Sequence, residues 1–467
     1  MRIRRSLLVA AALSATAASA KAQDAQYWTN QFGNRARLLG GAVIGSANDL
    51  SATYYNPGRL ALIDRGELVL SGNVVQFTRI SLEGTIVADQ KPTDTRVGGA
   101  PSLFAGELRF GFLGRSRLAY SFLSRSEFDT HFNEQGQLDL ADLPAVPNLD
   151  EFGAAVEFEQ RMSDYWAGIT WAYPLSDRLG IGVTMYTGIR SQRTDFTRLV
   201  QAVGDDEFGL SLDIQDYDFT HYRLLWKAGV GYNVGNWQLG ASITAPSLSL
   251  FGSGQTTLNK TSVSTDIDND GRSTPVLVFD KQEDVGVEWK SPLSIGAGAS
   301  YRVNERTRFH GSLEWFDATG EYTVIDSEPV EDRVSGDLLS SDVEADFGSA
   351  LNFGVGGEFD FSSRTVGYAS FRTDFSTIEP HVVNQVAIST WDLYHVGVGG
   401  TFEAGPAEIT LGTLFAWGSQ LFERGVLVLP DVPDGEIPLP PANAKFRRLT
   451  FILGFALKLE NTGGEGG

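Results

Sequence analysis

The sequence predicts an all-β protein, a transmembrane antiparallel β-barrel of about 14 strands. Three observations predict it: an export signal at the start, strand-length alternation of oily and polar residues along most of the chain, and connections that alternate between tight and long.

The export signal comes first. Arg2, Arg4 and Arg5 precede the apolar run "LLVAAALSATAA", and Ala18-Ser19-Ala20 and Ala20-Lys21-Ala22 are small-residue cleavage sites. Residues 1–22 therefore read as a secretory signal peptide, too short for a membrane span. The chain contains no cysteine, so no disulfide supports it outside the cytoplasm. No later window offers the roughly 18 consecutive apolar residues of a membrane helix, which leaves the β-barrel as the structure able to satisfy its backbone in lipid.

Alternation supplies the strands. In "RLTFILGFALKL", Leu449, Phe451, Leu453, Phe455, Leu457 and Leu459 share one face, and Thr450, Ile452, Gly454, Ala456 and Lys458 the other. The pattern recurs with Leu179, Ile181, Val183 and Met185 against Gly180, Gly182, Thr184 and Tyr186, and with Phe309, Leu313 and Trp315 against His310, Ser312 and Glu314. The polar faces are rich in Gly and carry charges, as a barrel lumen does. Tyr165, Trp171, Tyr173, Trp237, Trp391, Tyr394 and Trp417 fall near strand ends and are expected in aromatic girdles.

The connections set the count. Strands are expected to begin near 66, 100, 117, 154, 178, 207, 237, 280, 306, 346, 365, 390, 406 and 446. Tight links near 176, 235, 303, 362 and 403 alternate with long ones at 135–152, 253–278, 329–345, 376–389 and 423–444. Tight periplasmic turns and long extracellular loops are the outer-membrane pattern. The barrel occupies 65–460, and the Gly-rich tail 461–467 is expected to be disordered.

Composition narrows the function. Net charge is −21, and removing residues 1–22 takes away four positive charges to leave about −25, which argues against a nucleic-acid partner. No nucleophile elbow appears and the five histidines are scattered, so an enzyme is not expected, nor a cofactor. "DIDNDG" carries Asp266, Asp268 and Asp270 in calcium-loop spacing, but position twelve is Leu277 in place of Glu, so calcium is a weak candidate against an Asx-turn loop tip.

The segment "GNRARLLGGAVIGSANDLSATYYNPGRLALI", Gly33 to Ile63, resembles the N-terminal segment of the long-chain fatty acid transporter family of the FadL/TodX type. The counterparts are Gly33 to Ala36, the small-residue run Gly40 to Ala47, Asp49 to Ala52 with Ser51, and the box Asn56-Pro57-Gly58, where Gly58 replaces the usual Ala. "WKAGVGYNVGNWQLGASITAPS", Trp226 to Ser247, resembles a strand-turn-strand of the same family. The resemblance implies that residues 23–64 form a hatch plugging a 14-stranded barrel. It also implies that hydrophobic ligands pass from the loops to a pocket beside the hatch and leave in part through a lateral gap at a kinked third strand. No kink is legible in "RLAYSFLSRSEFD", and "GDDEFG" reads as a hairpin tip. Pro57 and Gly58 are expected to make the turn into the first strand, with Asn56 capping or anchoring it.

By alternation Arg223, Lys227, His310, Glu314, Glu358, His395, Glu408 and Lys458 face the lumen. The cations Arg223, Lys227, His310 and Lys458 either pair with a fatty-acid carboxylate or with Glu314, Glu358 and acids of the hatch. The expected protein is a monomeric outer-membrane passive transporter of a Gram-negative bacterium, in contact with outer-membrane lipid, that takes up hydrophobic small molecules, with a long-chain fatty acid as the first choice. The alternative is a related barrel for protein export or surface attachment, of type IX secretion kind.

Overall fold

The computed structural model describes residues 25–63, 67–83, 91–98, 101–139, 151–204, 208–265, 275–378, 385–387, 389–405, 407–428 and 436–458. The signal peptide, the tail 461–467 and the Asp266, Asp268, Asp270 loop lie outside these residues.

Among the described residues, twenty-one strands follow three one-turn α-helices, with one 3-10 turn at Gly111–Leu113 between the third and fourth strands. They are β1 (Glu67–Glu83), β2 (Thr93–Gly98), β3 (Pro101–Leu108), β4 (Arg117–Asp139), β5 (Glu151–Pro174), β6 (Leu179–Val203), β7 (Phe208–Val234), β8 (Trp237–Thr244), β9 (Leu248–Ser264), β10 (Val276–Val287), β11 (Ser294–Arg302), β12 (Thr307–Phe316), β13 (Gly320–Asp326), β14 (Val330–Glu331), β15 (Leu338–Leu339), β16 (Val343–Phe347), β17 (Ala350–Ser362), β18 (Thr365–Asp374), β19 (Leu393–Ala404), β20 (Ala407–Val428) and β21 (Glu436–Lys458). All pairings are antiparallel. From β1 they run to β3, β4, β5, β6, β7 and β8, then to β11, β12, β17, β18, β19, β20 and β21. The last strand, β21, pairs with the first, Glu67 opposite Lys458 through Glu83 opposite Asn443.

Two expectations need correction here. The strand expected near 280 is β10, which pairs with β9 and touches β13, while the neighbour of β8 is β11, starting at Ser294. The link 253–278 is accordingly not a loose loop: β9 runs through it and pairs with the far half of β7, Gly209 to Leu224. Its run of Ser, Thr, Asn and Gln lacks an oily face, so periodicity does not reveal it, yet the β7 ladder continues past the apolar band and needs a partner for its backbone groups. The same holds at 423–444, where β20 and β21 stay paired out to Val428 opposite Glu436. A strand of 27 residues such as β7 far exceeds the roughly 9–11 that cross a bilayer.

The sidedness is inside out compared with a water-soluble sheet. On β12, Phe309 is 51 % and Leu313 49 % exposed, while His310 is 4 % and Glu314 4 %. Leu351, Phe353 and Val355 on β17 and Phe451, Leu453 and Phe455 on β21 are exposed in the same way, while the adjacent Asn352 and Thr450 are buried. Period two therefore sorts oily residues outward and polar ones inward, the reverse of a core-forming sheet. Trp391 departs from the girdle expectation: it is wholly buried and stacks on Phe446, 6.3 Å between ring centres.

The segment 376–389, expected as a long outer loop, docks inward where it is described. The Val386 carbonyl accepts from Gln160 Nε2 (3.0 Å) and Gln192 Nε2 (2.7 Å), and Thr377 donates from its hydroxyl to the Ala25 carbonyl (2.7 Å). These residues join β13 and β16 in an apolar cluster over Ala25.

An outward face that meets lipid makes Leu313→Arg cost about 2–4 kcal/mol, whereas one that meets water makes it nearly neutral. Denaturant unfolding of the protein refolded into phospholipid vesicles is expected to give the larger value.

Candidate functional site

Residues 25–63 are buried almost without exception among the strands. Their helices are α1 (Asn34–Leu38), α2 (Ala52–Tyr55) and α3 (Pro57–Leu60). The expected Pro57-Gly58 turn is instead the first turn of α3, with Pro57 at its N1 position, where the missing N–H is an orphan anyway. Asn56 caps it: its Oδ1 accepts from Gly58 N at 3.0 Å. The same side chain donates through Nδ2 to the carbonyls of Ile44 and of Val230 on β7, both at 2.9 Å. Upstream, Asp49 Oδ1 accepts from Ser51 N (2.9 Å) and from the Ser51 hydroxyl, an Asx turn that launches α2.

Gly58 is dictated by packing. A Cβ there would lie 2.5 Å from the Gly229 carbonyl oxygen and 2.7 Å from Val230 Cα. The Ala usual at this place in the resembled family has no room here. Facing it, Gly180, Gly182 and Gly229 present bare backbone to residues 56–58.

Of the inward charges expected from alternation, Lys227, Glu314, Glu358 and His310 pair with one another or with residues 25–63. Lys227 Nζ lies 3.4 Å from Glu314 Oε1 and 4.8 Å from the Tyr54 ring centre. Glu314 also accepts from Trp28 Nε1 at 2.8 Å. Glu358 takes Arg35 (2.6 Å) and Arg308 (2.9 Å), and His310 Nδ1 lies 2.8 Å from the Ser46 hydroxyl. Arg223 pairs with Asp164 at 2.6 Å, so it is no standing carboxylate receptor. Alternation through "MSDYW" puts Asp164 inward beside Met162 and Trp166, a signal the sequence reading passed over. His395 is buried next to Arg372, and Glu408 lines a separate polar cavity with Asn34 and Asp49. The Lys458 backbone pairs with Glu67.

Beside Tyr54 is a cavity walled by Tyr27, Trp166, Trp289, Phe316 and Phe347, with Arg125 and Lys227 among its polar groups. Tyr27 stacks on Phe316 at 4.6 Å, and Arg190 lies 3.6 Å over Trp289. Its volume is about 60 Å³, on a measure where one water needs roughly 10–15 Å³. As it stands it holds a few waters or the head of a ligand, not an acyl chain.

Arg125 reaches this cavity because of a bulge in β4. The register to β5 shifts between Ser124 and Ser126, and inward parity changes from Leu123 to Phe128 and Phe132. The pairing of β4 with β3 stops at Leu123. Beyond it the Ser124 carbonyl accepts from Asn30 Nδ2 at 3.2 Å. Arg125 forms no ion pair among the described residues and lies 5.8 Å from the Tyr54 and 5.6 Å from the Trp166 ring centre. The change of parity in "LSRSEFDTHF" is the sequence trace of this bulge.

No family model and no curated protein matches the sequence. Solved structures do match the fold. The Pseudomonas putida toluene transporter TodX is 13% identical, with 93% of this chain and 99% of that chain covered and a TM-score of 0.57. A Pseudomonas aeruginosa FadL homologue is 11% identical, with 95% and 100% covered and a TM-score of 0.59. The CymD monoaromatic hydrocarbon channel is 11% identical, with 92% and 98% covered and a TM-score of 0.53. At these identities the likeness is one of fold.

Asn56→Ala removes three hydrogen bonds and is expected to loosen residues 44–58 by about 2 kcal/mol, roughly a 30-fold rise in the undocked fraction. Single-channel conductance that stays as low as in the wild type refutes that role. Gly58→Ala is expected to cost about 1–3 kcal/mol by overpacking, read as a lower unfolding midpoint.

Proposed function

We propose that the chain is an outer-membrane passive transporter for the uptake of hydrophobic molecules, long-chain fatty acids foremost. In this reading the sheet is a fourteen-stranded barrel, residues 23–64 are its hatch, and the protein works as a monomer. The pairing of β21 with β1 and the outward apolar face support the barrel, and the burial of 25–63 supports the hatch.

The observation that carries the reading is the aromatic cavity at the β4 bulge. It joins oily walls to Arg125, a cation without an ion-pair partner among the described residues. A carboxylate entering there makes a charge-assisted hydrogen bond in a low-dielectric site. Among the described residues the β4 edge beyond Leu123 lacks a β3 partner, so the cavity-lining Arg125 and Ser126 follow the point where this pairing ends. The tail of a ligand leaves by that side or waits for residues 25–63 to shift, because the cavity itself is too small for it. The TodX, FadL-homologue and CymD neighbours, called transporters or channels of hydrocarbons where their function is given, agree with such a role. No energy source is needed: binding, rearrangement of the hatch and release follow the gradient set by consumption further in. Arg223, Lys227 and His310 serve in this account to hold the hatch and the lumen wall.

Native mass spectrometry of the detergent-purified protein tests it. A co-purified fatty acid or comparable lipophile is expected, retained at lower occupancy by Arg125→Gln. Absence of bound lipophile together with a stably bound protein partner overturns uptake.

A further inference from the structure

The outward face carries a basic patch at the end of the apolar band away from the tight links. Arg79 on β1 stands directly opposite Arg447 on β21. Both are exposed, while Ile80 and Phe446 beside them are wholly buried, so the two arginines share the outward face. Arg79 is twelve residues beyond Glu67, the first residue of β1. That is about 40 Å along a strand and about 30 Å of height at the usual tilt, just past an apolar band about 25 Å tall.

The ladder rows around the pair mark the same boundary. One outward step nearer the tight links, Val97, Phe77, Leu449 and Phe415 follow one another across β2, β1, β21 and β20. Level with the pair, Arg447 faces Trp417, which in turn faces Tyr394, the rings 6.0 Å apart. One step further out, Ser81, Lys445 and Ser419 take over. Oily residues give way to arginines and aromatic rings, and these to hydroxyls, as they do where acyl chains meet head groups.

Like charges directly opposite on a ladder repel. A second opposed pair, Arg161 on β5 and Arg193 on β6, shows the usual remedy. Glu159 lies 2.5 Å from Arg161, and Asp195 2.8 Å from Arg193. Arg79 and Arg447 form no ion pair among the described residues. The carboxylate next to them, Glu83, is held by Lys445 at 2.5 Å and by Lys91 at 3.7 Å. Four cations thus gather around one carboxylate, in a chain whose net charge is −21. An anion at head-group level completes the patch, and phosphate is the anion that guanidinium forks bind bidentately.

We propose that Arg79 and Arg447, helped by Lys445, bind the phosphate of a phosphorylated glycolipid of the outer leaflet, the lipid A class, whose acyl chains lie on Phe77, Leu449 and Phe451. The site rests on the reading of the sheet as an outer-membrane barrel and is independent of what passes through the lumen. It lies on the seam where the last strand meets the first, so the bound lipid bridges β21 and β1.

Native mass spectrometry of the full mature protein in nonionic micelles tests the site, with bisphosphorylated lipid A, its dephosphorylated form, phosphatidylglycerol and inorganic phosphate as probes. Bisphosphorylated lipid A is expected to bind at least 10-fold more tightly than the dephosphorylated form. The double variant Arg79→Gln, Arg447→Gln is expected to lose at least 10-fold for the bisphosphorylated form and to leave the dephosphorylated one unchanged. If that variant does not fold, Arg447→Gln alone, expected to lose at least threefold, takes its place. The control variant Arg161→Gln, Arg193→Gln is expected to bind both forms like the wild type. Equal lipid A binding by the Arg79, Arg447 variant and the wild type overturns the site, as does an equal loss in the control. Phosphatidylglycerol or inorganic phosphate binding as tightly as lipid A overturns the assignment to an outer-leaflet glycolipid. Lipid A binding without any co-purified lipophile supports the site and removes the uptake reading; a co-purified lipophile without lipid A binding removes the site and leaves uptake standing.

Discussion

Close approach of one backbone to another is the constraint on which the structure depends. Residues 44–58 lie so near β6, β7, β8 and β11 that a Cβ on Gly58 or on the facing strand glycines meets main-chain atoms or atoms of residues 44–61. Bare strand surface is what admits a folded segment into the space between opposite strands. It also explains the inward Gly-rich faces, which would otherwise only weaken the strands. With no side chains to interlock at these points, hydrogen bonds set the register. Asn56 reaches Ile44 and Val230, and Thr184 and Tyr186 donate to the Thr53 carbonyl at 2.9 and 2.7 Å.

Polarity follows from that packing. A segment with three buried arginines, Arg35, Arg37 and Arg59, needs partners wherever it touches the strands. Arg35 finds Glu358, and Arg59 donates to Asn233 Oδ1 at 2.6 Å. Charge pairs and hydroxyls therefore line much of the interior beside its apolar clusters, while the alternating oily faces of the strands point outward. The inversion of faces and the ion-pair network are two consequences of one arrangement.

The bulge at Ser124–Ser126, which brings Arg125 between Tyr54 and Trp166, escapes the ion pairing among the described residues. Asn30 ties residues 26–31 to this bulge through the Ser124 carbonyl.

Period-two alternation by itself determined the strands that cross the apolar band, their outward oily faces and the inward direction of Arg223, Lys227 and His310, because in a strand parity alone sets the face. The small-residue run and Asn56-Pro57-Gly58 likewise announced a packed, capped segment. Alternation did not reveal β9, whose Ser-, Thr- and Asn-rich stretch has no face to display, nor the partner of β10 or the inward docking of 376–389. Nor did it reveal which acid meets which cation: Asp164 is 59 residues from Arg223, and Glu358 is 323 from Arg35. Those partners and the lack of room for Ala at Gly58 were decided by tertiary structure. They depend on strand register and on how deep residues 25–63 sit, and these are properties of the assembled sheet that no local pattern contains.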